Sequence, residues 1–204
     1  PFISALIIMA FARHRPLLVR LVGTIGSSIT LAGSTWLYFA YDHVKNGFQF
    51  FEWFPLVPSL GIHYQLAVDG WGLVLVLLTS IILFAGSFAS WTVKTRGQEF
   101  YALLLLLVTG VFGVFVSLDL LLFFVCWEVM LVPMLALIGV WGGEQRRYAA
   151  LKFFAYTLAG SVLMLLMLVA LWNRTPAEGR VVAVDAQVLA AELKAWSVAE
   201  QRTR

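Results

Sequence analysis

Charged residues are scarce in this sequence. They make up 12% of its 204 residues, whereas hydrophobic residues make up 61%. A soluble domain usually carries about 25% charged residues, so this chain has too little polar surface to coat a soluble globule. Its composition is typical of a protein that lies in a lipid bilayer. The formal net charge is only +3 and there is no long basic run, which excludes nucleic acid as an expected partner.

Residues that bind metals and redox groups are also few. The single cysteine, Cys126, cannot form an intrachain disulfide or hold an iron–sulfur cluster. His14, His43 and His63 lie in different loops, too scattered for a metal site or for a haem inside a span. No glycine-rich motif for a dinucleotide or a nucleotide phosphate occurs. We therefore expect this chain to bind no metal or cofactor and to carry no redox centre itself.

Long apolar runs are abundant, and they predict an all-α, polytopic bundle of about six transmembrane helices. A helix of about 20 residues crosses the hydrocarbon core, since each residue adds about 1.5 Å. The predicted spans, which together make a bundle over residues 1–172, are residues 1–12, 21–41, 71–93, 100–116, 118–140 and 148–172. The first run is about half the length that a span needs. Because the sequence also begins without Met, we expect this first helix to have lost its start.

Polar segments separate the spans. Residues 42–70 contain prolines, glycines and acids and show no strand alternation, which predicts an aqueous loop. A polar cluster at residues 117–119 divides a long apolar segment into two helices, and Asp119 is expected to cap the second of them. Residues 173–204 form a polar tail or a truncated linker, in which Asp185 is placed to begin an amphipathic helix.

Basic residues alternate between the loops and orient the bundle. The loops after the second and fourth spans contain one basic residue, Lys45, together with several acids. The loops after the first, third and fifth spans contain most of the others, namely Arg13, Arg15, Arg20, Lys94, Arg96, Arg146 and Arg147. The positive-inside rule places this second set in the cytoplasm and the N-terminus outside.

Glu128 is the residue whose position best suits it to carry chemistry, since it lies almost at the centre of the fifth span. A carboxylate there costs several kcal/mol. Its neighbours on the same helical face are apolar, so the group is either protonated or paired with a residue of another helix. Such a carboxyl is able to take up and release protons. The alternative is a neutral glutamic acid that hydrogen-bonds between helices as a structural contact.

Two further residues are candidates for a proton path. Pro133 removes a backbone donor close to Glu128 and would admit water or a kink, unless it is an ordinary membrane-helix proline. Lys152 lies about one turn inside the sixth span, with Tyr156, Thr157 and Ser161 following at near-helical spacing. This set predicts either a hydrated half-path from the cytoplasm or a lysine that reaches the membrane surface above a packing face. Small residues such as Gly23 and Gly113 predict close helix contacts.

Several motifs, in order, resemble one known family. The segment FFVCWEVMLVPM at residues 123–134 resembles the W-E-x-M-L-x-P-M signature of NADH-quinone oxidoreductase subunit M. The segments PSLGI at 58–62, VDG at 68–70, IGVWGGE at 138–144 and AALKFFAYT at 149–157 are also similar to that family.

The resemblance implies the N-terminal half of an antiporter-like fold in respiratory complex I, a proton channel coupled to distant quinone reduction. It implies that Glu128 is the proton-loading carboxylate, paired with a lysine on a seventh helix, and that Lys152 has a less certain role. NADH, flavin, iron–sulfur clusters and quinone are then expected in the complex, and other membrane subunits and the bilayer are expected as partners. The expected location is a bacterial inner membrane or an organelle inner membrane.

The sequence also departs from the family pattern. Family members often have L-E-T-G in the fourth helix, where this chain has Leu107, Val108, Thr109 and Gly110, so it lacks a second carboxylate there. The seventh helix is expected beyond residue 204, and the chain is then an incomplete piece. Two other functions stay open, a subunit of a multi-subunit cation/proton antiporter and a structural membrane anchor that does not pump.

Overall fold

Six α-helices and one β-hairpin make up the computed structural model, which describes residues 1–11, 16–43, 47–57, 62–93 and 95–174. The helices are α1 (Phe2–Phe11), α2 (Pro16–Ala40), α3 (Gly70–Ala89), α4 (Gly97–Val116), α5 (Leu120–Trp141) and α6 (Arg146–Arg174). Strands β1 (Gln49–Val57) and β2 (Ile62–Val68) lie between α2 and α3, and a single 3₁₀ turn follows α3. The predicted amphipathic helix near Asp185 lies outside the described residues.

Five of these helices, α2 to α6, are long and apolar enough to cross a membrane. The predicted class, a polytopic helix bundle, is confirmed, and the chain is an integral membrane protein. The helix bounds differ from the expected spans mainly at the N-terminal ends. For example, α2 begins at Pro16 and α4 at Gly97, whereas the apolar runs begin at residues 21 and 100. Proline at the first helical position costs nothing there, because that residue has no intrahelical N–H bond to lose.

The prediction that residues 42–70 lack strands is wrong. β1 and β2 pair in an antiparallel hairpin, with register irregularities between Gln49 and Glu52 and near Pro55. Aromatic residues crowd β1 on both faces, so the period-two alternation that marks a half-buried strand is absent. Pro55 favours a loop in sequence, but β1 is the free edge of the sheet, where proline is tolerated. On the other side of the sheet, β2 continues the pairing, because the Leu118 N–H donates to the Gln65 carbonyl at 3.0 Å.

The main core lies where α1, α2, α3 and α4 meet. Tyr101 of α4 is buried at its centre, and its hydroxyl donates to the Ser87 carbonyl of α3 at 2.9 Å. The ring lies against Gly23 of α2, where a Cβ would come within 2.6 Å of the ring carbon Cδ1. Elsewhere in the bundle, the hydroxyls of Ser34 on α2 and Ser80 on α3 are hydrogen-bonded to each other. The expected small-residue contacts of α2 are therefore present.

The α4 and α5 helices pack closely and are joined by a three-residue turn. A Cβ on Gly110 would lie 2.8 Å from Met130 Cβ and 3.2 Å from the Cys126 carbonyl oxygen. Such an approach requires glycine, because it leaves no room for a side chain. At the turn, Asp119 is buried and its Oδ1 accepts from the backbone N–H groups of Leu121 and Leu122, at 2.7 and 3.0 Å. The prediction that Asp119 caps the fifth helix is confirmed.

The substitution Gly110→Ala should destabilise the complete subunit. The new methyl group collides with Met130 Cβ and the backbone of α5, and overpacking of this kind costs about 1 to 3 kcal/mol. Equilibrium unfolding of the purified subunit in mixed detergent micelles measures the change. Gly86→Ala is the matched control, since a Cβ at Gly86 meets nothing within 4 Å. Equal stability of the two variants would contradict the packing described for α4 and α5.

Candidate functional site

Glu128 lies deep in α5, about 12 Å along the axis from Leu120 at 1.5 Å per residue. Its Oε1 atom is buried and has no hydrogen-bond partner among the described residues. Val125 and Val132, its neighbours one turn away on either side, are exposed at 47% and 62% and offer no polar group. The carboxyl group therefore sits among apolar side chains with unused hydrogen-bonding capacity.

A buried acceptor without a donor costs about 1 to 3 kcal/mol, and a charged one costs more. A buried carboxyl oxygen is stabilised in one of three ways. The carboxyl group is protonated, or it accepts a hydrogen bond from a helix outside the described part of the chain, or it accepts one from water. Glu128 therefore presents a carboxyl group inside a spanning helix whose remaining hydrogen bonds come from outside the described residues.

Pro133 lies inside α5 and is buried, and the helix continues past it to Trp141. Because proline has no N–H group, the carbonyl of Val129, four residues before it, has no helical donor. That free carbonyl belongs to the residue directly after Glu128. The site thus combines an unpartnered carboxyl oxygen with a backbone acceptor that the helix does not satisfy, which favours local hydration.

Lys152 lies on α6 and is exposed. Its Nζ is 5.6 Å from the centre of the Tyr148 ring, one turn earlier in the same helix. A cation over an aromatic face gains about 0.5 to 1 kcal/mol at an exposed site. In the described residues no ion pair joins Lys152 to Glu128. The structure therefore does not bring these two predicted site residues together.

The polar residues of α6 fall on two different faces. Lys152, Tyr156 and Gly160 are exposed, whereas Ser161 is buried and Thr157 is partly buried. Each residue turns the helix by about 100°, so Thr157 and Ser161 are well removed from the face of Lys152. The expectation of a single continuous polar face on α6 is wrong in this respect. Of these polar residues, Thr157 and Ser161 are the ones that are at least partly buried.

The hairpin lies against the turn that joins the C-terminal end of α4 to the N-terminal end of α5. Partial burial raises the pKa of the Tyr64 hydroxyl, and the nearby carboxylate of Glu52 and the Cys126 thiol raise it further. Gln65 is 97% buried, and its Oε1 atom has no partner in the described residues. Sequence reasoning missed Gln65, because a glutamine in a predicted aqueous loop gives no signal of burial.

Comparison with known proteins finds relatives in the family that the motifs resemble. Residues 117–194 match the family model described as NADH:quinone oxidoreductase/Mrp antiporter, TM. The chain is 45% identical over 130 residues to NAD(P)H-quinone oxidoreductase chain 4 of a Nostoc species, covering 64% of this chain and 24% of that one. It is 36% identical over 182 residues to NADH-quinone oxidoreductase subunit M of Rickettsia conorii, covering 85% of this chain and 36% of that one.

Solved structures share the fold. A chain of respiratory complex I from Thermus thermophilus superposes with a TM-score of 0.66 at 26% identity, covering 81% of this chain and 34% of that one. A chain of the Mrp complex from a Dietzia species gives a TM-score of 0.63 at 22% identity, covering 85% of this chain and 19% of that one, which shows similarity of fold alone. The chain spans about a quarter to a third of the length of the relatives in these two sequence matches. By these matches the chain is a relative of NADH-quinone oxidoreductase subunit M, also named chain 4, and resembles a part of that subunit.

Proposed function

We propose that this chain carries the proton-loading carboxyl of a proton-translocating membrane subunit of NADH-quinone oxidoreductase. The observation that supports this most strongly is Glu128, a partly buried residue in the middle of a spanning helix whose buried Oε1 atom has no partner among the described residues. The names of the sequence relatives supply the reaction that drives it, since these are NADH-quinone oxidoreductase chains. Proton uptake and release at Glu128 is then one step of a pump coupled to quinone reduction.

The proton moves between Glu128 and the aqueous phase through a partly hydrated region of α5 and α6. Pro133 contributes by leaving the Val129 carbonyl free, and Lys152 lies on the cytoplasmic side as a group near the point of uptake. Lys152 is exposed at the described surface, so a contact with Glu128 would run through water or further residues. The positive charge of a lysine near the path repels a proton there and so raises its free energy.

Electron transfer is assigned to other subunits. This chain binds no metal or cofactor, and NADH, flavin, iron–sulfur clusters and quinone belong to the rest of the complex. Its partners are other membrane subunits and the lipid bilayer. The N-terminus faces outside, because basic residues at the opposite helix ends, among them Arg20 and Arg146, mark the cytoplasmic side. The location is a bacterial inner membrane or an organelle inner membrane.

Glu128→Gln in the complete complex should abolish most NADH-driven proton translocation. Glutamine keeps the size and the hydrogen-bonding groups of the side chain but does not exchange a proton, so we expect at least a tenfold loss. The measurement is the decay of a pH-sensitive dye signal in vesicles supplied with NADH. Glu99→Gln is the matched control, because Glu99 is exposed and pairs at the surface with Arg96 at 2.6 Å.

The amount of assembled complex separates pumping from anchoring. A structural anchor predicts that Glu128→Gln lowers the amount of complex in the membrane while the remaining complex pumps normally. The pumping role predicts normal assembly with lost translocation. Full translocation per assembled complex in Glu128→Gln would remove Glu128 from the pump.

The ion that moves distinguishes the main proposal from a cation/proton antiporter, a function named in the description of the family model. We expect vesicles that contain the complete complex to acidify on addition of NADH in sodium-free buffer, with no change when sodium is added. An antiporter instead exchanges added sodium for protons without NADH. Sodium-dependent proton movement in the absence of NADH would favour the antiporter.

A further inference from the structure

Two oxygen atoms on neighbouring helices are buried without a hydrogen-bond partner. One is Oε1 of Glu128 on α5, and the other is Oγ of Ser161 on α6. Ser161 is only 3% exposed. Since buried polar groups in proteins are nearly always hydrogen-bonded, each of these atoms indicates a partner that is not a side chain or backbone group of the described residues.

Ser161 differs from the other helical hydroxyls in this respect. Thr109 and Ser87 donate to carbonyls four residues earlier in their own helices, at 2.8 Å in both cases. Thr157, one turn before Ser161, bonds in the same way to Phe153. This local bond is the usual way in which a hydroxyl is satisfied inside a helix. Because Ser161 does not make it, its hydroxyl is available to an external group.

Helix geometry places the residues that carry these two oxygens at matching distances from one contact between α5 and α6. The α5 and α6 helices are joined by a short turn and run antiparallel. They touch at Gly139 and Ala150, where a Cβ on Gly139 would be 3.6 Å from Ala150 Cβ. Glu128 lies eleven residues before Gly139, and Ser161 lies eleven residues after Ala150. Eleven residues rise about 16.5 Å along a helix and turn it by about 20° more than three full turns. Glu128 therefore lies on nearly the same face of α5 as Gly139, and Ser161 lies on nearly the same face of α6 as Ala150.

The two side chains are placed to share a water molecule. Each leans toward the N-terminus of its own helix, and because the helices run in opposite directions the two side chains lean apart. Packed antiparallel helices commonly cross at about 20°, so their sideways offset grows with distance from the contact at Gly139. Both effects agree with the absence of a direct hydrogen bond between Glu128 and Ser161. A water molecule between two such polar atoms would give each of them a hydrogen-bond partner.

We propose that a water molecule is bound between α5 and α6, held by the Ser161 hydroxyl and the Glu128 carboxyl. Ser161 is then a positioning residue, which acts on proton exchange through the water it holds. The water gives Glu128 a hydrogen-bonded neighbour inside the bilayer, and the Ser161 hydroxyl fixes its place. This inference rests on the proposed function for its role in pumping, but the water site itself stands independently of that function.

Infrared difference spectroscopy of the complete complex in native membranes tests the site. Spectra recorded on NADH addition, in ordinary water and in H₂¹⁸O, should contain an O–H stretching band that shifts with the oxygen isotope. We expect this band to disappear in Ser161→Ala and to persist in Ser161→Thr, which keeps the hydroxyl. Ser161→Ala should also slow NADH-driven translocation about fivefold, the factor that one lost hydrogen bond represents, while Ser161→Thr retains most of it.

Ser87→Ala is the matched control, because it removes a buried helical hydroxyl whose bond lies within its own helix, away from α5 and α6. Persistence of the isotope-sensitive band in Ser161→Ala overturns the water site. An unchanged translocation rate in that variant, with the band lost, overturns the positioning role. Full pumping in Glu128→Gln is a different result, since it removes the proposed function while the isotope-sensitive band still decides the water site.

Discussion

The hydrocarbon core of a membrane supplies no hydrogen bonds, and this constraint governs most of the structure. Every polar group inside it has to find a partner within the protein. Hydroxyls in the spans bond back to their own helices, as Thr30 does to the Gly26 carbonyl at 2.8 Å. The free N–H groups at a helix start are satisfied by a capping side chain, as Asp119 does for α5. Among the described residues, only three buried side-chain polar atoms have no hydrogen-bond partner, and they belong to Gln65, Glu128 and Ser161.

Much of the bundle was predictable, because hydropathy reports the one property that the bilayer selects. Helix breaks at residues 117–119 and 142–145 follow from polar residues and glycines that interrupt apolar runs. The hairpin was not predictable in the same way, since β1 has no alternation and contains Pro55. Its stability comes from pairing with β2, and β2 in turn bonds to the α4–α5 turn, which is far away in sequence. Such long-range pairing leaves no local pattern.

The candidate site was predictable in part for the same reason. A carboxyl at the centre of an apolar helix is visible from sequence alone, so Glu128 required no structure to be singled out. Only the structure shows that Oε1 of Glu128 has no partner among the described residues. Likewise, only the structure shows that Ser161 is buried and Lys152 is exposed. Residues on one helix that look contiguous in sequence are separated by about 100° per step, and only the position of the neighbouring helix decides which of them face inward.

The three-residue turn between α4 and α5 has a consequence for the biogenesis of the protein. Asp119, which lies in the turn, accepts hydrogen bonds from the first N–H groups of α5. The N-terminus of α5 is therefore capped without any residue from outside the α4–α5 pair. The glycines of α4 then allow α5 to approach as soon as both segments have been synthesised. The two helices are therefore equipped to pair early as one closed hairpin, before α6 is added on the other side of α5.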